Sequence, residues 1–273
     1  MVKRLLSSSS FAAACLAALS SAGPVLAQPV GYLIEASWFQ TPPKGSFQLM
    51  ASNPAPAGAT ASFITIDPEA DLGIGKKSLF PVGIRMIRPG YRLEVEYLAP
   101  GSTTFSSDTV APRAFAFQSA TFLAGEAIHS EVKVRDWSGH MRYDIWSGPY
   151  TSLGAGIDVD YFTFSPTVVS LATPGKFASD SKNVTVATAT IALNFHDAAS
   201  HLFVDGKYSY MSYSGTKCVK VRAEAGYAIV EGIGIKGGWR STRVEYASDN
   251  SPFPEERFDI KLEGFYAGVF LNF

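Results

Sequence analysis

The last sixteen residues of the chain, Phe258–Phe273, read FDIKLEGFYAGVFLNF. Apolar side chains occupy every second position towards the end of this stretch: Phe265, Ala267, Val269, Leu271 and Phe273. A period of two predicts a β-strand with one apolar face. Because the final residues of soluble domains are commonly polar and poorly ordered, an apolar face that continues to the last residue indicates a strand covered by protein or by lipid.

Nine other segments alternate in the same way, which predicts ten strands in all: Val30–Phe39, Phe80–Ile87, Tyr91–Leu98, Trp137–Trp146, Leu153–Thr163, Ala187–Phe195, Leu202–Tyr210, Val219–Ile229 and Ile233–Trp239. The clearest alternation is in Tyr91–Leu98, where apolar residues on odd positions oppose Arg92, Glu94 and Glu96. About 9–11 residues are enough for a tilted strand to cross a bilayer. The pattern therefore predicts an all-β chain whose strands are long enough to span a membrane.

The connections between these strands are alternately short and long, with one exception. Arg88–Gly90 and Ser147–Pro149 are short, whereas Gln40–Leu79, Ala99–Ala127 and Phe164–Asn183 are long. Short turns on one side and longer loops on the other are typical of transmembrane barrels. We therefore expect a closed antiparallel transmembrane β-barrel of ten strands, with eight as the alternative count.

Two segments break the alternation. Val132 and Val134 lie on even positions, whereas Met141 is on an odd position, and a similar change of phase occurs in the last strand. One extra residue in a strand moves its later side chains to the other face. We therefore predict β-bulges near Asp136–Trp137 and near Gly264. The alternative is that both strands leave the membrane at these points, beyond which the face of a side chain no longer matters.

The beginning of the chain predicts a secretory signal peptide over residues 1–27. Lys3 and Arg4 precede a stretch of apolar and small residues, which ends in Val25-Leu26-Ala27. A positive start, an apolar middle and a small-residue cleavage site define such peptides. Residues 28–273 would then form one outer-membrane β-barrel domain. An N-terminal membrane helix is an alternative that the four consecutive serines disfavour.

Composition excludes several classes of function. The formal net charge is −1, which gives no indication of nucleic-acid binding. Cleavage at Cys15, as in a lipoprotein, would be preceded by too short an apolar stretch. Removal of the signal peptide leaves Cys218 as the single cysteine, so no intramolecular disulfide is expected. No phosphate-binding loop, zinc pattern or dinucleotide fingerprint is present, and we expect no cofactor or metal.

The charged faces of the strands would line the lumen of the barrel. The fifteen lumen candidates are Arg85, Arg92, Glu94, Glu96, Arg142, Asp144, Asp158, Asp160, Asp205, Lys207, Lys220, Arg222, Glu224, Lys236 and Arg240. In a soluble β-sandwich or lipocalin-like barrel the same residues would face water. Both signs of charge on most strands, next to glycines, favour a crowded polar lumen. Barrels of about eight strands are just filled by side chains, so we expect a narrow, mostly blocked pore.

Two resemblances support this architecture. The last strand resembles the outer-membrane assembly signal, which implies a role in assembly for Phe265, Val269, Leu271 and Phe273. More widely, ITIDPEADLGIGKKSLFPVGIRM, YRLEVEYLAPG, FQSATFLAGEAIHSEVKV and RYDIWSG resemble proteobacterial outer-membrane β-barrel proteins, porin-like and related to small OmpW-type barrels. The shared elements are the acidic element Asp67, Asp71, Leu72 and Gly73, and the turn Thr121, Phe122, Ala124 and Gly125. The resemblance implies the outer membrane of a Gram-negative bacterium, and no reaction.

Candidate chemical groups are few. His129 and Ser130 are adjacent in a strand, so their side chains point to opposite faces. The segment His196–His201 contains Ser, His and Asp but falls on a predicted short turn. The acidic run from Asp67 to Asp71 could bind a divalent cation, but it lacks the glycine and final glutamate of a calcium loop. We therefore expect no catalytic activity.

The expected function is that of a porin-like or structural outer-membrane protein with a narrow polar lumen and extracellular loops. An outer-membrane enzyme acting on lipid or peptide at the barrel rim is one alternative. A surface adhesin or receptor that acts through its long loops is the other. The expected partners are outer-membrane lipid, lipopolysaccharide and the barrel-assembly machinery, and the sequence leaves the oligomeric state open.

Overall fold

A computed structural model describes residues 31–48, 65–98, 103–118, 120–197, 201–230, 232–247 and 257–272. Seventeen strands form in these ranges: β1 Gly31–Thr41, β2 Pro43–Gln48, β3 Thr65–Ile66, β4 Lys77–Leu79, β5 Pro81–Arg88, β6 Tyr91–Leu98, β7 Thr104–Val110, β8 Phe115–Phe117, β9 Ala120–Phe122, β10 Ala127–Ser147, β11 Thr151–Ser170, β12 Phe177–Ser179, β13 Lys182–Asp197, β14 Leu202–Tyr213, β15 Thr216–Val230, β16 Ile233–Ala247 and β17 Arg257–Asn272. None of the described residues forms a helix long and apolar enough to cross a membrane. The predicted signal peptide lies outside the described residues.

Ten of the strands pair antiparallel in a sheet that returns to its starting strand. The order is β1, β5, β6, β10, β11, β13, β14, β15, β16 and β17, and β17 pairs in turn with β1. Ile34 of β1 lies opposite Ile84 of β5 on one side and opposite Leu271 of β17 on the other. Each of these ten strands overlaps one of the ten segments predicted from the alternation. We call this set the ring.

The two ends of the ring differ. One end, which we call the turn end, has short connections such as Pro89-Gly90, where Gly90 adopts a positive φ of 84°. That conformation favours glycine because it has no Cβ. The other end, the loop end, has longer connections. These contain β2 to β4 after β1, β7 to β9 after β6, and β12 after β11.

An apolar belt surrounds the ring on its outside. The exposed apolar side chains include Tyr32, Ile34, Trp38, Val82, Ile84, Trp137, Met141, Tyr143, Ile145, Ile157, Tyr161, Ile191, Leu193, Val204, Tyr208, Tyr210, Tyr227, Ile229, Ile233, Ile235, Phe265, Val269 and Leu271. Proteins in water rarely expose contiguous apolar patches larger than a few hundred Å². A continuous belt of this kind is therefore suited to apolar surroundings, and it is the outer face that the alternation predicted.

Several strands continue well beyond this belt towards the loop end, and we call this part the extension. On β11 the inward-facing residues change from Asp158 and Asp160 to the buried Phe162 and Phe164. At the same level the outward residues change from Tyr161 to polar ones such as Thr163. The extension thus has the polarity of a water-soluble barrel, with apolar residues inside and polar residues outside.

The two predicted β-bulges are wrong. The pairing of β10 with β11 is continuous from Ile128 to Asp144, and its register shift lies between Asp144 and Trp146. The pairing of β16 with β17 runs without a shift past Gly264. The apparent change of phase in the sequence is instead the point where the strands leave the belt. The same backbone face continues, and the residue type suited to that face changes.

The extension encloses a hydrophobic core, which we call the plug. Its completely buried members include Phe47 of β2, Leu72 and Ile74 of the turn before β4, and Phe115, Phe117 and Phe122 of the β8–β9 hairpin. The aromatic side chain of Phe47 packs edge-on against those of Phe117 and Phe164, with ring centroids 6.1 and 5.5 Å apart. Segments that the sequence predicted as outside loops therefore fold inward and fill the loop end.

The opposite polarity of the belt and the extension predicts that a charged substitution changes the folding free energy differently in the two parts. Ile157→Arg places a cation at the middle of the belt and should cost about 2–4 kcal/mol of folding free energy, because a membrane interior solvates charge poorly. Asn183→Arg, at an exposed outward position of the extension opposite Thr163, is the matched control and should cost little. Urea unfolding in lipid vesicles, followed by the heat-modifiable gel shift, measures both. Equal costs would contradict the position assigned to the belt.

Candidate functional site

All fifteen candidate lumen residues lie inside the part of the ring that the belt surrounds. Arg92 has the most exposed side chain of the fifteen, at 20%. Every one of them takes part in at least one ion pair. The lumen is therefore filled by charged side chains that neutralise one another, and we call this set the ion-pair network.

Arg85 lies at the centre of the network. Its Nη2 is 3.0 Å from Oε1 of Glu224 and 3.5 Å from Oε2 of Glu35, and its Nε is 3.6 Å from Oε2 of Glu94. Lys236 approaches Glu35 at 2.6 Å and Glu224 at 3.4 Å. Three carboxylates thus share two cations across the lumen. An unpaired charge away from water is costly, so the five groups stabilise one another as a unit.

Two arginines extend the network towards the plug. Arg222 binds Glu94 through both of its terminal nitrogens, and the Nη2–Oε2 distance is 2.8 Å. Arg240 donates to Glu96 at 2.6 Å, and its guanidinium carbon lies 5.4 Å from the centroid of Phe39. Bidentate arginine–carboxylate pairs are among the strongest charged hydrogen bonds in proteins. They hold the long side chains extended across the lumen.

A second cluster surrounds Asp158. Lys207 and Lys220 approach Oδ2 of Asp158 at 3.3 and 3.1 Å, and Lys220 also binds Asp160 at 2.7 Å. Asp158 also accepts hydrogen bonds from two hydroxyls and from an imidazole: Thr190, Ser209 and His140. The carboxylate is therefore saturated with donors.

The ion pairs nearest the turn end are looser. Arg92 and Arg142 lie 3.8 and 3.9 Å from Oδ2 of Asp205, and Nε of Arg142 lies 3.5 Å from Asp144. Arg92 also donates to the side-chain oxygen of Asn194 at 3.0 Å. Nε and Nη2 of Arg142 have no hydrogen-bond partner although they are buried. Such groups usually bind water.

Aromatic rings narrow the lumen at the turn end. Phe203 and Phe270 face inward and pack edge to face, with centroids 5.6 Å apart. A Cβ on Gly226 would lie 2.2 Å from Phe203, and one on Gly234 would lie 2.1 Å from Phe270. These glycines are therefore required for the two aromatic rings to occupy their positions in the lumen. The plug occupies the opposite end.

The network encloses a small cavity. A cavity of about 20 Å³ is lined by residues that include Glu94, Glu96, His140, Lys220 and Arg222. A volume of roughly 10–15 Å³ or more, measured in this way, is enough for one water molecule. The cavity has room for a single water and none for a sugar or an amino acid.

The inward residues outside the fifteen candidates include four titratable ones. Glu35 neutralises Arg85 and Lys236, and His140 binds Asp158. Asp136 is buried, and the hydroxyl of Tyr266 donates to Glu224. Glu35 and His140 alternate with apolar residues in the sequence, as the fifteen candidates do. Tyr266 carried no such signal, because a tyrosine suits either face.

The other groups singled out from the sequence have structural partners. Asp71 accepts two hydrogen bonds from Arg113, at 2.8 and 2.7 Å, and Asp67 accepts the backbone N–H groups of Glu69 and Ala70. The acidic run is thus a capped turn that carries Leu72 and Ile74 into the plug. His129 binds Asp108 at 2.5 Å on the outside of the extension, as a cross-strand pair. Residues 198–200, within His196–His201, lie outside the described residues.

Glu35, Glu94 and Glu96 bring carboxylate oxygens close enough to hold a cation. Lys236, Arg85, Arg222 and Arg240 already neutralise these oxygens. The donor set therefore suits the protein's own cations better than a metal ion. Of the proposed assembly signal, Phe265, Val269 and Leu271 are exposed on the belt, and Phe273 lies outside the described residues.

Comparison with known proteins shows a likeness of fold. No protein-family model and no curated sequence matches the chain. The outer membrane protease OmpT from Escherichia coli is 8% identical, with a TM-score of 0.49, over 93% of this chain and all of that one. Ail, the attachment invasion locus protein of Yersinia pestis, is 10% identical, with a TM-score of 0.36, over 90% of this chain and all of that one. The Ralstonia pickettii toluene transporter TbuX is 8% identical, with a TM-score of 0.37, over 89% of this chain and 74% of that one.

The network predicts that loss of one buried carboxylate is costly. Glu94→Gln removes the carboxylate that pairs with Arg222 and one of the three carboxylates around Arg85. We expect a loss of about 3–5 kcal/mol, as for other broken buried pairs. The control is Glu263→Gln, which removes outward pairs with Lys44 and Lys261 and should cost about 0–1 kcal/mol. Urea unfolding in micelles measures both. If Glu94→Gln lowered the free energy of unfolding no more than Glu263→Gln does, the stabilising role of the network would be refuted.

The Asp71–Arg113 pair predicts a local effect of acid. The hydrogen bond from Arg113 lowers the pKa of Asp71 below its ordinary value of 3.8, and partial burial opposes this effect. Because the pKa of Asp71 is lower in the folded protein, the ionised carboxylate stabilises the turn at pH values above the pKa of the unfolded chain. This stabilisation is lost as the pH falls through the pKa of the folded protein. The protection of residues 67–75 against hydrogen exchange, taken relative to the intrinsic rate at each pH, should therefore fall below about pH 4. Asp71→Asn should show low protection at every pH, and a pH dependence of protection identical to that of the wild type would contradict the assignment.

Proposed function

We propose that the chain is an outer-membrane protein that forms a closed ten-stranded barrel, and that it does not act as a general diffusion pore. The return of the pairings from β17 to β1 supports closure. An open sheet edge in lipid would leave backbone groups unpaired. The apolar outside and charged inside of the ring support a membrane location, because the opposite arrangement suits water.

The filled lumen is the observation that carries the proposal. A solute that enters from the loop end meets the plug first, then the ion-pair network, and finally the Phe203–Phe270 pair. The network contains a cavity of about 20 Å³. Passage of a disaccharide would require rearrangement of all three layers. A structural or surface role fits such a closed barrel better than transport.

A non-catalytic role belongs to the same proposal. The buried pair of His140 and Asp158 lies under the plug, and its carboxylate is occupied by hydroxyls and cations. The exposed pair of His129 and Asp108 lies on the outer face of two paired strands. Catalysis by acid and base needs a reacting atom held within hydrogen-bond reach. An outward strand face offers no concave site for such an atom.

The extension supports the surface role as a second candidate function. Its outward face is polar and rich in paired charges, such as Arg243 with Asp259 and Lys44 with Glu263. It begins where the belt ends, at the level of lipid headgroups. We propose that this face meets the polar part of lipopolysaccharide. Export by a signal peptide over residues 1–27 and insertion by the barrel-assembly machinery complete the proposal.

Electrical recording tests whether the lumen is blocked. Purified protein in a planar bilayer should give only small or no conductance steps, and liposomes that contain it should not swell in isotonic disaccharide. Ser165→Trp, which adds bulk to the polar outside of β11, is the control and should behave like the wild type. Large stable steps, or rapid disaccharide entry, would show that the lumen is open.

A further inference from the structure

A row of three cations crosses the outside of the extension. Arg243 of β16 lies directly opposite Lys261 of β17, and Lys261 lies directly opposite Lys44 of β2. All three occupy outward positions, and their side chains are 45, 37 and 51% exposed. Like charges that face each other across neighbouring strands destabilise a sheet. These three residues, which we call the cation row, are therefore unfavourable together unless anions neutralise them.

Carboxylates on the same surface neutralise the cation row only in part. Arg243 donates to both oxygens of Asp259 at 2.8 and 2.5 Å, and Lys44 and Lys261 share Glu263. Beyond the belt, the outward positions of β2, β15, β16 and β17 carry five cations and three carboxylates: Lys44, Lys217, Arg243, Arg257 and Lys261, with Glu245, Asp259 and Glu263. This surface therefore has a surplus of two positive charges.

The opposite side of the extension has no such surplus. Beyond the belt, the outward charges of β7, β10 and β11 are balanced: Asp108 and Glu131 with Lys133 and Arg135, beside the imidazole of His129. Lys133 lies opposite a threonine of β7 and a serine of β11, so it faces no like charge. The excess of positive charge is thus specific to the strands that carry the cation row.

The existing ion pairs leave the cation row able to bind a further anion. Ion pairs exposed to water contribute little to stability, because water screens the two charges. The side chains of Glu263 and Asp259 are 22 and 32% exposed, less than those of the three cations. The carboxylates therefore lie nearer to the sheet, and the cationic groups extend beyond them.

The cation row lies at the level of lipid phosphates. Phe265 is the last exposed apolar residue on the outward face of β17, and Lys261 follows four positions closer to the loop end. At about 3.4 Å per residue this is roughly 14 Å along the strand, which a tilt of about 40° reduces to a height of roughly 10 Å. The polar region of one leaflet is about 5–8 Å thick. Lysine and arginine side chains are long enough to reach back across the remaining distance.

The chemistry of the cation row and of the belt below it selects the ligand. Arginine and lysine bind phosphate well, and arginine does so through two parallel hydrogen bonds. Neighbouring strands are about 4.8 Å apart, so three cations on three strands span roughly 10 Å, enough for more than one phosphate. Trp239 and Phe265 lie on the same outward face below the row. A ligand that fits both surfaces carries its phosphates on a lipid.

We propose that the cation row binds the phosphate groups of lipopolysaccharide in the same membrane, while the acyl chains of that molecule lie on the belt below. This inference rests on the proposed contact between the extension and lipopolysaccharide, and it adds the residues and the phosphate chemistry. The bound phosphates neutralise the surplus charge and remove the repulsion among Arg243, Lys261 and Lys44.

The test uses full-length protein in detergent micelles and lipid A, the phosphorylated lipid anchor of lipopolysaccharide. Two forms with the same acyl chains are compared, one with its phosphates and one dephosphorylated, in EDTA so that no divalent cation bridges them to the protein. Native mass spectrometry at increasing lipid concentrations measures both affinities. We expect the phosphorylated form to bind about tenfold more tightly or better. A large excess of inorganic phosphate should not displace it, because the acyl chains hold the lipid on the belt.

Two variants change the surplus charge in opposite directions. Arg243→Gln combined with Lys261→Gln removes two cations of the row and should abolish the preference for the phosphorylated form. Glu263→Gln removes the carboxylate that Lys44 and Lys261 share, so it should increase the preference several-fold. A purely structural role of the row would not give this increase.

The matched control is Lys133→Gln combined with Arg135→Gln. It makes the same change of charge on the opposite side of the extension and should keep the wild-type preference. Heat-modifiable migration of each variant establishes that it is folded before the titration.

The proposal is overturned if wild-type protein binds both forms of lipid A equally, or if the Arg243 and Lys261 double variant keeps the preference. An equal loss in the control would assign the preference to net charge alone and would also overturn the site. Displacement of the lipid by inorganic phosphate would identify a site for free phosphate instead. Conductance is measured separately, because a barrel that conducts but keeps the preference refutes the closed lumen and leaves the cation row intact.

Discussion

Backbone geometry makes successive side chains of a strand point to opposite faces, and no change of solvent along the strand alters this. A strand that continues from lipid into water must therefore exchange the composition of both faces at the boundary. On β11 the exchange occurs between Asp160 and Phe162 on the inside and between Tyr161 and Thr163 on the outside. The charged lumen, the apolar plug and the polar extension all follow from this constraint, because each is one face of the same strands in one environment.

The lumen must also be close to neutral. The fifteen predicted residues comprise eight cations and seven carboxylates, and Glu35 supplies an eighth carboxylate. Asp136 is a further buried acid, and His140 is bound to Asp158. Because these groups are buried, each charge depends on a protein partner. The pairs of Arg92 and Arg142 at the turn end are the loosest, and buried nitrogens of both side chains lack a hydrogen-bond partner.

The sequence predicted the ten ring strands and the inward position of the charges, because alternation is a local signal that eight or more residues make clear. It did not predict the plug. The β8 and β9 strands have three residues each, too few to show a period, and their phenylalanines resemble those of an exposed loop. The partners within the network were equally inaccessible, since Arg85 and Glu224 are 139 residues apart and meet only when the ring forms. The two predicted bulges failed for a related reason: an exchange of face composition and a one-residue insertion produce the same pattern of apolar positions.

Glycine positions show how closure at the turn end was achieved. Gly226 and Gly234 leave the space in which Phe203 and Phe270 lie across the lumen, and any larger residue would displace a ring. Aromatic closure at one end, paired charges in the middle and an apolar plug at the other end make the interior a packed core in three layers. A core of this kind stabilises the ring. The groups that remain available to a partner are therefore on the outside and at the rim, where the extension presents hydroxyls and charged groups.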